Sequence, residues 1–207
     1  MMELKGYGDR LAARTAQVVG DGPKIAAIAD SEMSDETRQI VNTIRLSAGA
    51  GTAAEVPDYM RTMVKHPALF RAQMELGTVL FKGLISSRER ELAVLRIGWL
   101  AGAPYEWGEH VKISQRYGVT LEEIARVQQG STAPGWSEHE AAILRGVEEL
   151  MSDYTVSDAT WDILAKSWDE AQMLEYPAMV GQYVVTAFVQ NTVRSRLAPE
   201  NPGLANF

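Results

Sequence analysis

Cysteine is absent from all 207 residues. Disulfides, thiolate metal sites, cysteine nucleophiles and thiol redox chemistry are excluded together. Long apolar runs are missing too. No window holds the roughly 20 uninterrupted apolar residues that a membrane-spanning helix requires. The nearest stretch, 177–193, is too short and contains Gln182 and Gln190. The first twenty residues carry Lys5, Asp9, Arg10 and Arg14 and lack the apolar core of a signal peptide. The cytoplasm is the expected location, with no membrane partner. Positive charge is in deficit: 20 Lys and Arg against 27 Asp and Glu leave a net charge of -7. Nucleic acid, whose phosphates need clustered basic residues, is not an expected partner. No glycine-rich phosphate loop, dinucleotide fingerprint or Gly-x-Ser-x-Gly elbow occurs.

What is present reads as helix almost throughout. The chain is long enough for one domain with a sizeable core, and its 46% hydrophobic and 23% charged content suits a globular protein. Glycines 6, 8, 20 and 22 and Pro23 break up the opening segment, leaving room for one short helix. Ser34-Asp-Glu-Thr starts a helix that runs through Ile40, Ile44 and Leu46 to a turn at Gly49-Ala-Gly51. Further helices are expected over 58–65 and 68–81. Ser86, Thr120 and Ser137 each precede a glutamate by three positions, the capping-box spacing that opens a helix. Ser157 caps another helix, Asp169 opens a further turn or helix, and 177–197 is the last long one. Residues 198–207 read as a polar tail rich in proline and glycine. One all-α domain is the economical architecture.

Two segments could hold chemistry. Between Leu92 and Ala101 only Arg96 is charged, which marks a central, buried helix. Glu91 enters it on the stripe of Val94, Leu95 and Gly98, where a carboxylate is expensive unless paired or near solvent. On a wheel of about 100° per residue, the helix over 105–117 gathers Glu109, Lys112 and Arg116 on one wet face. Glu106 and His110 fall in the apolar arc, four apart and therefore neighbours. Such a pair is either a helix salt bridge or an acid/base couple whose burial tunes its proton affinity. Two carboxylates and a histidine can also bind Zn, Mn or Fe, but a second histidine is lacking. His66 precedes a proline and His139 sits in a capping box, so no metal is expected. Arg96 is expected to pair with an acid, such as Glu89 or Glu91, rather than clamp a substrate carboxylate. The stripe Trp161, Leu164, Ala165 and Trp168 reads as core or subunit interface.

The runs Arg88-Glu-Arg-Glu-Leu-Ala-Val-Leu-Arg-Ile-Gly-Trp-Leu-Ala-Gly102, Tyr105-Glu-Trp-Gly-Glu-His-Val111 and Gly118-Val-Thr-Leu-Glu-Glu-Ile124 resemble the carboxymuconolactone decarboxylase family. That family includes the alkyl hydroperoxidase D-like proteins. Val180-Gly-Gln-Tyr183 and Asn191 are similar to the final helices of its longer members. The resemblance spans 55–197, leaving 1–54 as a variable extension and 198–207 as a tail. It implies an all-α bundle of the alkyl hydroperoxidase D-like type that assembles as a homo-oligomer: a dimer, trimer or hexamer. In hydroperoxidase-type members a glutamate precedes a Cys-x-x-Cys pair, and a histidine follows four positions after the second cysteine. Glu91 matches that glutamate and His110 that histidine, whereas the cysteine positions fall on Ala103 and Glu106. Thiol peroxidase activity is therefore excluded.

Decarboxylase-type members use no cofactor and act on lactone acids from aromatic-ring breakdown. The resemblance thus implies a cofactor-free lyase, decarboxylase or isomerase moving a proton on a small lactone or organic acid. Glu91, Glu106 and His110 would be catalytic, with Tyr105, Trp107 and Tyr183 shaping the substrate site. The alternative is a non-catalytic helical oligomer with a structural Glu–His cluster that binds a small ligand or partner.

Overall fold

A computed structural model describes residues 5–47 and 56–204. It is all-helical, with no strand among the described residues. The helices are α1 (Lys5–Val19), α2 (Asp35–Ser47), α3 (Asp58–Met63), α4 (Pro67–Phe81), α5 (Ser87–Leu100), α6 (Pro104–Arg116), α7 (Leu121–Gln129), α8 (Glu138–Asp153), α9 (Asp158–Leu164) and α10 (Glu170–Val193). A single 3-10 turn, Asp30–Glu32, lies between α1 and α2. The turn expected at 49–51 lies outside the described residues.

The capping signals work as their chemistry requires. Ser86, Thr120 and Ser137 each accept from the backbone N–H three residues on, and the glutamate there returns a bond to the cap. Asp169 does the same with Gln172. Helix α5 is the hub, with every residue from Arg90 to Trp99 buried. It packs against α6, α7, α8 and α10. A helix apolar on all sides has no wet face to turn outward, so its neighbours must surround it.

Four expectations need correction. The opening segment forms a fifteen-residue helix, not a short one. Arg14 anchors it by donating to the carbonyls of Ala101 and Gly102 at the end of α5. Pro177 does not begin the last helix but lies inside it. The ring removes one backbone bond, yet Met173, Tyr176, Met179 and Val180 are buried on both sides of it. Packing of that stripe outweighs the break. Arg96 does pair with an acid, but that acid is Glu148 and not Glu89 or Glu91. Five residues from Glu91 it points to the other side of α5, where Glu148 holds it at 3.0 Å and the carbonyls of Val127 and Gln128 accept from it. The tail, finally, is docked. Asn201 donates to the Tyr105 carbonyl at 3.1 Å and to Glu109 at 2.8 Å, and Leu204 is buried in the core beside Trp107.

The Trp161 stripe divides: Leu164 and Trp168 are core, while Trp161 is exposed. Among the described residues no helix is long and apolar enough to cross a membrane.

Candidate functional site

Helices α5 and α6 lie close because Gly98 faces the first turns of α6. A Cβ at that position would sit 3.1 Å from the Trp107 backbone nitrogen. This approach lets side chains nineteen residues apart in sequence meet. His110 Nδ1 lies 2.7 Å from Glu91 Oε2. On its other side, His110 Nε2 lies 3.4 Å from Glu106 Oε1. The structure therefore brings Glu91, His110 and Glu106 into one line. Glu91 is fully buried, at 0% exposure, and the other two are also buried.

Arg90 completes the line. Its Nε and Nη2 donate to Glu91 Oε1 at 3.2 and 3.0 Å, and its Nη1 donates to the Phe81 carbonyl. The guanidinium is stacked 4.1 Å from the Phe81 ring centroid and 5.2 Å from that of Tyr117. Two oxygens of Glu91 thus have separate donors, Arg90 on one and His110 on the other. A buried charge is tolerable on these terms. With His110 protonated, charges alternate along the series Arg90, Glu91, His110, Glu106.

Electrostatics favour that protonated form. Burial opposes a charged imidazole, but the carboxylates of Glu91 and Glu106 outweigh it and raise His110 from 6.5 to about 10. Near neutral pH both ring nitrogens carry protons. The imidazolium can donate from Nδ1 to Glu91 and from Nε2 toward Glu106.

The three aromatic candidates part company. Tyr183 meets the site: its ring stands edge-on to His110, with centroids 5.4 Å apart. Burial and the charges of Glu91 and Glu106 push its phenol well above its usual value, so it stays a donor. Tyr105 turns the other way, against Tyr59, with centroids 6.2 Å apart. Trp107 is fully buried in the core and packs on Trp99 at 4.9 Å. Arg90 was missed by sequence reading. Its place in the run Arg88-Glu-Arg-Glu resembles a solvated charge stretch, and adjacent helical residues do not normally face each other.

The remaining histidines do other work. His66 caps α4 by accepting from the Leu69 N–H. His139 pairs with Glu89 at 2.8 Å and lies edge-on to Trp168. Among the described residues no three His, Asp or Glu side chains form a group suited to a metal ion. A groove of about 640 Å³ between α2 and α4, lined by Ile40, Arg71, Met74 and Val79 among others, includes none of the site residues.

Residues 67–149 match the model of the carboxymuconolactone decarboxylase family. This segment contains Arg90, Glu91, Glu106 and His110. None of the curated proteins compared with the chain matches it. Solved structures share the fold at low identity. The debrominase Bmp8, crystallised as a cysteine-to-alanine variant with 2,3,4-tribromopyrrole, is 17% identical, with a TM-score of 0.71 over 86% of this chain and 92% of that one. An uncharacterised peroxidase-related protein from Ralstonia eutropha JMP134, described as an alkylhydroperoxidase AhpD core, is 18% identical, with a TM-score of 0.71 over 85% of this chain and 94% of that one. A second peroxidase-related protein, from Silicibacter sp. TM1040, is 13% identical, with a TM-score of 0.70 over 87% and 95% of the two chains.

Proposed function

We propose that the chain, whose residues 67–149 match the model of the carboxymuconolactone decarboxylase family, is a cofactor-free acid/base enzyme acting on a small lactone or organic acid. One observation carries the reading: His110 is held between two carboxylates, with a proton available on the nitrogen that faces Glu106. Decarboxylation or isomerisation leaves an electron pair on the carbon beside a carbonyl, and that carbon must gain a proton. His110 starts charged and acts first as the acid. Glu106 is the carboxylate that receives a proton from substrate carbon or passes one to it. Glu91, neutralised by Arg90, fixes the Nδ1–H and sets the ring's orientation, as the buried partner of a catalytic histidine does. Tyr183 borders the imidazole and shapes the substrate site. The working form is a homo-oligomer in the cytoplasm.

The absence of cysteine leaves Glu106 where hydroperoxidase-type relatives carry a thiol. A carboxylate at that point suits proton transfer and cannot support thiol redox chemistry. The test is turnover of a panel of lactone and muconate-type acids by metal-free protein, read as CO2 release and as double-bond movement. Turnover without added cofactor is expected, and none across the panel would contradict the reading.

A structural cluster is the competing reading. The observation that favours it is the saturation of Glu91, whose two oxygens are both bonded within the protein. Under that reading His110 and Glu106 variants lose stability and no substrate is turned over.

A further inference from the structure

The Tyr59 hydroxyl is one of the buried polar groups that lack a hydrogen-bond partner among the described residues. Tyr59 lies on α3, outside the segment that matches the family, and is 6% exposed. Its hydroxyl oxygen is buried and forms no hydrogen bond among the described residues. Leaving such a group unpaired costs about 1–3 kcal/mol, so a retained one calls for an explanation.

Its surroundings show why it is unpaired. Gln73 and Thr186 lie close enough to the hydroxyl to ease its proton loss slightly, but neither meets it in hydrogen-bond geometry. They are committed to each other: Gln73 Nε2 donates to Thr186 Oγ1 at 3.1 Å, and Thr186 donates to the Gln182 carbonyl at 3.0 Å. Gln182 in turn donates to the Gln73 carbonyl at 3.1 Å. This closed set ties α4 to α10 and leaves the phenol over. Thr186 is three residues beyond Tyr183, on the same face of α10, and Tyr183 packs on His110. The Tyr59 ring lies against Tyr105, the residue before Glu106. Burial, followed by the charge of Glu106, holds the phenol well above its usual value, so it remains an O–H donor.

We propose that the Tyr59 hydroxyl donates to an uncharged carbonyl oxygen of the substrate while Glu106 and His110 act on nearby carbon. The ligand class follows from charge. A second carboxylate placed at Tyr59 would face Glu106, and the two cations of the site are already committed, His110 to Glu91 and Glu106 and Arg90 to Glu91. A lactone or ketone carbonyl meets no such penalty. As negative charge gathers on that oxygen, a fixed donor gains strength. This assignment rests on the proton-transfer reading above.

The probe is 2(5H)-furanone in D2O, followed by NMR with wild-type protein and Tyr59→Phe. Phenylalanine keeps the ring against Tyr105 and removes only the hydroxyl. Saturable binding and deuterium uptake at carbon are expected for the wild type, with exchange about a hundredfold slower in the variant. Ligand-free Tyr59→Phe should unfold at the same denaturant concentration as wild type or a higher one, because the hydroxyl makes no bond there. Equal and measurable exchange rates, a clear loss of ligand-free stability, or no binding by the wild type would each overturn the assignment. Binding that weakens in Tyr59→Phe, with no exchange by either protein, would uphold the donor and overturn the proton-transfer reading instead.

Discussion

Glu91 and His110, nineteen residues apart on adjoining helices, meet at 2.7 Å, and Arg90 occupies the carboxylate oxygen that His110 leaves free. The imidazole therefore has a fixed orientation and a fixed proton on Nδ1, and its chemistry is left to Nε2. Predictions follow from that arrangement and from the packing around it.

His110 should titrate near pH 10 instead of near 6.5. Its folded-state value is raised, so the stabilisation it brings is complete below about pH 6.5 and fades as the pH climbs through about 10. Ring-proton NMR of His110, assigned against a His110→Gln variant, reads the value directly. Urea midpoints from pH 6 to 10.5 should fall more for wild type than for His110→Gln. Titration of His110 at or below 6.5 would remove the acid assigned here.

Replacing Glu91 by Gln should depress the His110 value, because the largest influence raising it disappears while burial continues to lower it. The same change leaves the Arg90 guanidinium buried without its counter-charge. Removing one member of a sealed pair costs about 3–5 kcal/mol, and chemical denaturation should show a loss of that order. An unchanged midpoint would mean that Arg90 finds another partner.

Arg96 and Glu148 supply the contrasting case. Arg96 is buried, and Glu148 accepts from it and from the Ser131 N–H and hydroxyl. Glu148→Ala should cost about 2 kcal/mol, less than a sealed pair because Glu148 is partly exposed. Turnover per folded molecule should stay at the wild-type level, since this pair lies across α5 from Glu91. A fall in kcat without unfolding would show that the two faces of α5 are coupled.

The tail should matter to stability. Leu204 is 1% exposed and packs among Trp107, Val111 and Leu95. Leu204→Ala should destabilise by about 2–3 kcal/mol, the lower part of the range for buried leucines. A shift in Tm of less than a degree would show that the tail is not held as described.

The legible parts of the sequence were those governed by local rules. The capping boxes at Ser86, Thr120 and Ser137 have fixed spacings and open their helices at those residues. The apolar run of α5 marks the central helix because nothing in it tolerates water. The spacing of Glu106 and His110 on one helix places them side by side. What escaped the sequence depends on tertiary contacts. Gly6 and Gly8 argue against α1 at about 1 kcal/mol each, but the docking of Arg14 on the end of α5 has no local signature. Pro177 is a genuine breaker that long-range burial overrides. Asn201 looks like a loop residue until the α6 carbonyl it bonds is in place. Arg90 reads as surface charge until the Phe81 and Tyr117 rings close over it. The local pattern therefore located the Glu106–His110 pair, and the Arg90 counter-charge to Glu91 emerged only with the fold.

The central claim is that His110 and Glu106 transfer a substrate proton, and the most direct test is turnover by His110→Ala and Glu106→Gln on whichever lactone or muconate-type acid the wild type accepts. Both variants should keep their helical circular dichroism and lose at least about a hundredfold in kcat. Wild-type rates in both folded variants would contradict the account and leave Glu91, His110 and Glu106 as a structural cluster.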